Sequence, residues 1–195
     1  AGAPSVDTER LEELYWARRD SAAMQYSQAD VDFMTGMIGH HAQALIMSGL
    51  AEDAGASSEI MTLTARIINA QKDEIRSMQD WLRARGEPVP EVQIDGLQLM
   101  VHGVDGHHAH MPGMLTQDQL EELAAARGAE YDRLFLEYMI QHHEGAVTMV
   151  DKLFSTDGAA MEDAAFKLAS DINVDQQTEI ERMKLMLRRM GASDR

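Results

Sequence analysis

All eight histidines of the chain fall in three places: His40 with His41, His142 with His143, and a group made of His102, His107, His108 and His110. Seven of the 15 methionines stand beside them: Met37, Met47, Met100, Met111, Met114, Met139 and Met149. Thioether sulfur is a soft donor and imidazole a borderline one, and together they suit Cu(I); imidazole also holds Cu(II), and silver is accepted for the same softness. The chain has no cysteine, which removes both a disulfide framework and a thiolate metal site. Metal chemistry here must use imidazole, thioether and carboxylate.

On a helix, Met37 precedes His40 by three residues and His41 by four, so its thioether can approach either ring, and Phe33, Ala44 and Met47 share the face of His40. Met139 stands in the same relation to His142 and His143. Neighbouring helical residues point about 100° apart, so one histidine of each pair can face a bundle interior while the other lies at its flank; the spacing does not say which. Ferritin-like carboxylate bundles use Glu-x-x-His on two helices and a further Glu from each of the other two. Here Met37-x-x-His40 and Met139-x-x-His142 put thioether where that carboxylate would stand, with Glu74 and Glu179 available on the partner helices. Gln71, Glu74, Gln176 and Glu179 alternatively serve as outer partners that fix the imidazole tautomers.

The segment from Met100 to Met114, which contains His107, His108, His110 and Met111, is compositionally a metal-catching tract whose small residues leave its ligands free to converge. Its expected role is capture or delivery. Plainer readings stand beside these. Met61, Met78, Met183, Met186 and Met190 read as adaptable core filler. The His-His pairs read equally as a buried hydrogen-bonded network that fixes helix register, and the linker histidines as an exposed run with adventitious affinity.

The elements that must carry these residues are helical. Caps and breakers give a helix near Asp7 to Met24, a second from about Gln28 to Asp53 closed by Gly55, and a third from about Ser58 to Arg85. From Pro88 to Pro112 the periodicity is lost, which reads as a linker and not an element. Thr116 and Gln119 make a capping-box signature for a short helix ending at Gly128. Helices over about Ala129 to Phe154 and Ala160 to Met190 follow.

The two halves repeat one another. Phe33-x-x-x-Met37-Ile38-x-His40-His41-x-x-Ala44-x-x-Met47 returns 102 residues later as Phe135-x-x-x-Met139-Ile140-x-His142-His143-x-x-Ala146-x-x-Met149. Gln71-x-x-Glu74-Ile75-x-x-Met78 returns 105 residues later as Gln176-x-x-Glu179-Ile180-x-x-Met183. Two long hairpins with short turns pack as a four-helix bundle. The expected fold is therefore all-α, a ferritin-like four-helix bundle of two duplicated hairpins related by a pseudo-two-fold axis. Its divisions are an N-terminal helical extension (1–27), a first hairpin (28–87), a His/Met-rich linker (88–115) and a second hairpin (116–195).

Composition limits the partners. With 195 residues, 45% of them apolar, the chain can bury a core. Its formal charge of -16 opposes a nucleic-acid partner, since neutralising phosphates takes clustered Lys and Arg. No segment has the run of apolar residues a membrane span needs. The start, Ala1-Gly2-Ala3-Pro4, has neither an initiator Met nor an apolar signal core, which gives the expectation of a processed, exported chain. Neither a nucleophile elbow nor a phosphate-cradling glycine loop appears.

The residues Phe33-Met34-x-x-Met37-Ile38-x-His40-His41-x-x-Ala44 and Phe135-Leu136-x-x-Met139-Ile140-x-His142-His143-Glu144-Gly145-Ala146, with His110-Met111-Pro112-Gly113-Met114-Leu115 before the short helix, resemble the bacterial domain of unknown function 305 family. Its copper-linked members are described as CopM-like. The likeness runs from about Gln28 to Met190. It implies an exported four-helix, ferritin-like bundle, with some relatives tied to copper or silver tolerance. The first half carries Gly39 and Ala42 where the second has Gln141 and Glu144, which leaves open whether the halves bind equally. The expected function is sequestration or transfer of a soft cation, copper or silver, in the periplasm, outside the cell or at its surface, with a metal-transfer protein or a second copy of the chain as partners to be considered. A ferritin-like metal oxidase and a helical interaction module with structural histidines are the rival readings.

Overall fold

The computed structural model describes residues 8–23, 25–104 and 111–193. Among the described residues the chain forms six helices and one two-stranded sheet: α1 (Thr8–Ala23), α2 (Gln28–Gly49), α3 (Ser58–Ala84), β1 (Glu91–Asp95), β2 (Gln98–His102), α4 (Gln117–Ala125), α5 (Gly128–Phe154) and α6 (Asp163–Ser193). Local chemistry sets the starts. Ser27 and Asp30 form a capping box on α2, Ser57 caps α3, and Thr116 with Gln119 makes the capping box that their spacing predicts on α4.

The bundle consists of the hairpins α2–α3 and α5–α6, joined chiefly through α2 against α5, with α3 also touching α6. Position explains composition. α2 is covered by α3, α5 and the sheet, and fifteen of its residues are buried on nearly every face. α3 lies at the edge and buries one stripe, from Ile60 and Leu63 through Ile67, Gln71 and Ile75 to Met78 and Leu82.

The core is divided in two. One apolar cluster takes Ala44 and Met47 of α2, Ile60 to Ile67 of α3, Tyr131 to Met139 of α5, and Met183 and Met186 of α6. The other takes Val31 to Ile38 of α2, Ile75 to Leu82 of α3, Ala146 to Leu153 of α5, and Ala165 to Ile172 of α6. Every helix of the bundle thus crosses from one cluster to the other, and the residues at the crossing are polar: His40, His41, Gln71, Glu74, His142, His143, Gln176 and Glu179.

A reciprocal pair of aspartates locks the two hairpins. Asp30, fully buried at the start of α2, accepts from the backbone N–H of Ala160 (2.7 Å) in the turn before α6. Asp132, 102 residues on at the start of α5, accepts from Ser57 N–H (3.2 Å) in the turn before α3. Each repeat therefore anchors the turn of the other.

The structure corrects three expectations. Residues 88–115 are not an unpatterned linker: β1 and β2 pair antiparallel with Asp95 opposite Gln98. Asp95-Gly96 between alternating Val92, Ile94, Leu99 and Val101 is a hairpin signal, and positive φ at Gly96 (57°) but not at Leu97 suits a two-residue II′ turn. The apolar side of this hairpin, with Val92, Leu97 and Leu99, packs against the bundle core. Helix α2 ends at Gly49, with a turn through Gly55, and α6 begins at Asp163 after a segment in which Ala160 takes φ of 52°. Met61, expected as filler, is 37% exposed, whereas Met78, Met183 and Met186 are buried.

Replacing Asp30 or Asp132 by Ala strands a backbone N–H and removes a charge-assisted bond, so each substitution is expected to cost about 3 kcal/mol. Urea unfolding checks this; a loss under about 1 kcal/mol at both sites would show that the turns are held by packing alone.

Candidate metal centre

The four histidines of the duplicated motif all lie in the polar layer between the two apolar clusters, each exposed by 1% or less. Both members of each pair are buried, because α2 and α5 sit at the centre of the bundle and have a helix on either side. Their roles separate by direction. His40 and His142 meet at the α2–α5 contact, ring centroids 3.9 Å apart and planes tilted by 38°. His41 and His143 turn outward to the partner helix, where His41 Nε2 donates to Glu74 Oε2 and His143 Nε2 donates to Glu179 Oε2, both at 2.6 Å. The two halves perform the same contact with matched residues.

These bonds leave an unusual remainder. With the proton of His41 and His143 on Nε2, Nδ1 keeps its lone pair, and in both rings it has no hydrogen-bond partner. His40 donates from Nε2 to the carbonyl of Pro112 (2.9 Å), and its Nδ1 is likewise unpartnered. His142 makes no hydrogen bond of normal geometry on either nitrogen, its nearest backbone partner being that of His40. Gln71 Oε1, Gln176 Oε1 and Glu74 Oε1 in the same layer are also buried without partners. A buried polar atom left unpaired costs about 1 to 3 kcal/mol, and native cores carry few. A soft cation with open coordination positions would satisfy such lone pairs, so the residues present fit one.

The electrostatics favour neutral rings. Burial, and then the neighbouring His41, push His40 down to about 3 from 6.5, against the opposing Pro112 carbonyl. Burial, and then His40 and His143, hold His142 well below its ordinary value. At neutral pH both rings therefore present lone pairs without first losing a proton. Beyond the carboxylates the acidity continues: Asp175 is raised by burial and by Glu74 and Glu179 beside it. Among the described residues no three His, Asp or Glu groups stand ready to close around one ion. The imidazoles are thus a partial shell to which softer or backbone donors would add.

A strap crosses this layer. From Met111 to Leu115 the chain runs between α2 and α5, and Gln43 clamps it, donating to Leu115 O (3.0 Å) and accepting from Leu115 N–H (2.7 Å). Gln141 donates to Gly113 O at 3.4 Å. On α5 the strap lies against Gly145, where a Cβ would come 2.0 Å from Pro112 O, so only glycine admits that backbone. Gly113, at φ of 76°, is held as closely: its Cβ would stand 2.5 Å from Gln141 O.

Of the sequence candidates, the structure brings together His40, His41, His142, His143, Glu74 and Glu179, with Gln71 and Gln176 in the same layer. Met37 and Met139 are fully buried in opposite apolar clusters, as are Met47 in one and Met149, partly buried, in the other. The apolar clusters on either side of the imidazole layer thus each contain methionines of the motif. Met111 is half-buried on the strap. His102 is exposed on β2, 3.3 Å from Gln93 Oε1. His107, His108 and His110 lie outside the described residues. Sequence reasoning missed Gln43, Pro112, Gly113 and Gly145. The repeat held a clue, since Gln43 and Gly145 occupy equivalent positions 102 residues apart and differ.

Comparison with known proteins gives a consistent picture. Residues 30–187 match the model of the Domain of unknown function (DUF305). A DUF305 protein from Streptomyces coelicolor, held to be secreted, superposes with a TM-score of 0.70 at 25% identity, covering 84% of this chain and 94% of its own. A DUF305 fragment from Deinococcus radiodurans gives 0.68 at 29% identity, covering 84% and 98%. CopM in its Cu(II)-bound form gives 0.62 at 30% identity, covering 82% and 96%, and CopM has also been solved with Cu(I) and with Ag bound. No curated protein matches this chain.

The neutral histidines carry a pH signature. Folded His40 titrates near 3 and the unfolded chain at 6.5. Between those values the unfolded state holds more protons, so stability rises with pH there, by up to about 1.4 kcal/mol per unit for each such histidine. The metal-free protein should lose the stability that neutral His40 contributes as pH falls from 6.5 toward 3. In urea unfolding, the His40→Asn/His142→Asn variant should have a shallower slope in that window; a slope equal to that of the unsubstituted protein would contradict neutral burial.

Proposed function

The chain belongs to the DUF305 family, and from that footing we propose that it binds a soft cation of the copper and silver class in its histidine layer, to sequester it or pass it on outside the cytoplasm. The observation that carries this reading is the set of buried, unpartnered imidazole nitrogens on His40, His41, His142 and His143. A bundle that needed histidines only for register would gain by pairing them.

Each residue then has a role. His40 and His142 offer nitrogens at the α2–α5 contact. His41 and His143 offer Nδ1 while Glu74 and Glu179 hold Nε2–H, the carboxylate–histidine arrangement that fixes the tautomer and raises ligand basicity. The two carboxylates also place negative charge one hydrogen bond behind the ligands, which offsets the cost of a cation in a dry interior. Met37, Met47 and Met139 supply thioethers on either side, and the Pro112 carbonyl already occupies His40 Nε2. Thioethers and neutral imidazoles favour Cu(I) and Ag(I) over hard ions. Copper and silver bound by CopM, and the secretion ascribed to the Streptomyces coelicolor relative, support the cargo and the location. The segment containing His107, His108 and His110 is read as a capture arm, and a metal-transfer protein or a second copy of the chain as the partner that would receive the ion. The reading is binding without turnover.

The test is an anaerobic Cu(I) titration against a competing chelator. It compares the unsubstituted chain with a variant in which His40, His41, His142 and His143 are Ala and residues 102–110 are kept, each checked for helical content. Loss of the tight component is expected. Tight binding that survives all four substitutions would move the function to the segment before the strap and overturn the proposal, as would equal uptake of Fe(II) and Cu(I).

A further inference from the structure

Outside the histidine layer, the ends of two methionine side chains converge on a glycine. Met111 Sδ lies 3.2 Å, and Met149 Cε 3.5 Å, from the point where a Cβ would stand on Gly36. Gly36 is inside α2 and has no positive φ, so the backbone does not require glycine there, and a glycine within a helix is a weaker choice than alanine. What its missing side chain provides is the room in which the ends of Met111 and Met149 sit. Gly36, Met111 and Met149 are each half-buried, in reach of solvent.

The place of this pair in the fold is specific. Met111 starts the strap, and its neighbour Pro112 holds His40 through the carbonyl. Gly36 is one helical turn before His40, and Met149 is one turn after Gly145, against which the strap packs. The ends of these two side chains therefore sit at the foot of the strap, one helical turn along α2 from His40. The equivalent of Met149 in the first repeat, Met47, is fully buried in the other apolar cluster, so duplication alone does not account for the arrangement.

We propose that Met111 and Met149, with the space left by Gly36, form a second soft-cation site, a two-thioether station that receives Cu(I) or Ag(I) before the ion passes under the strap to the histidines. This rests on the histidine reading for the onward step but not for the station itself. Two neutral sulfur donors accept a monovalent soft ion without releasing a proton and give little to Cu(II) or Zn(II). Ag(I) is therefore the probe, being free of redox change.

The experiment follows methionine methyl resonances in protein labelled with 13C at the methionine methyl carbons, during Ag(I) titration of three proteins: the unsubstituted chain, the variant with all four layer histidines changed to Ala, and Met111→Leu/Met149→Leu, which keeps side-chain bulk. In the unsubstituted chain and in the histidine variant, Ag(I) should shift the Met111 and Met149 methyls, and Zn(II) should not. The leucine variant should keep tight binding at the histidines but load more slowly. Gly36→Ala, which suits a helix, should leave thermal stability unchanged or higher and weaken the Met111 and Met149 shifts. Methyls of Met111 and Met149 that stay unmoved at saturating Ag(I) would overturn the station, whatever the histidines do. Shifts that persist while the four-histidine variant binds as tightly as the unsubstituted chain would leave the station standing and remove the histidine site.

Discussion

Four imidazoles and two carboxylates lie across the middle of a helical bundle where apolar side chains would ordinarily pack, and the rest of the architecture keeps that layer dry and in register. Water at the layer would pair the orphaned nitrogens. The two apolar clusters close it from above and below, and α2 and α5 present their histidines from the centre while α3 and α6 back them with Glu74 and Glu179. Register matters as much as dryness. A shift of one residue along α2 would carry His40 out of contact with His142 by about 100° of helix rotation. The clamps from Asp30 to Ala160 and from Asp132 to Ser57 oppose such a shift from both ends of the bundle. A further buried group, Trp81 donating to Glu162 with Arg85 paired to the same carboxylate and stacked on the indole, ties α3 to the segment before α6.

The duplicated halves do not give their histidines equal surroundings, because among the described residues the strap crosses the layer once. At equivalent positions the first repeat has Gln43, which grips the strap's backbone, and the second has Gly145, which yields space to it. Gln141, where the first repeat has Gly39, adds a hold from the second side. The strap thereby breaks the pseudo-symmetry at His40 and His142, giving the first the Pro112 carbonyl and the second no hydrogen bond of normal geometry. The layer thus holds two chemically different histidines at the α2–α5 contact, although the sequence around them is the same motif.

Much of this was legible in the sequence, because helices announce themselves through composition and caps, and a repeat of Phe, Met, Ile and paired His over 102 residues leaves little choice of packing. The bundle and the pairing of His-bearing helices with Glu-bearing helices follow from that. What stayed hidden has particular causes. The β1–β2 hairpin was masked by the abundance of Gly and His around it, although Asp95-Gly96 marked the turn. Asp30 and Asp132 precede the repeated Phe by three residues each, an extension of the motif that spacing alone could have caught. Direction within each His-His pair could not be read, since helical geometry separates two neighbours by angle but does not say what lies on each side. The strap's contacts at Gly145 depend on a close approach between backbones, and a glycine in a helix carries no sign of what approaches it.

The thioethers at Met37 and Met139 are where the bundle departs from a hard-metal site, and the fold shows why the departure is not easily reversed. Each stands three residues before its histidine, the position that carries glutamate in carboxylate bundles. Both are wholly buried in the apolar clusters, Met37 beside Val31 to Ile38 and Met139 beside Tyr131 to Leu136. A carboxylate in either place would lose its solvation among aliphatic and aromatic groups, at a cost of several kcal/mol unless a metal or a donor met it at once. The carboxylates the chain does have, Glu74 and Glu179, reach the layer from the edge helices, partly exposed, and are already engaged by imidazole. The exchange of carboxylate for thioether is therefore not a matter of two substitutable side chains. It follows from a layer whose flanks are apolar on both sides, where a neutral sulfur can be buried without penalty and an anionic oxygen cannot.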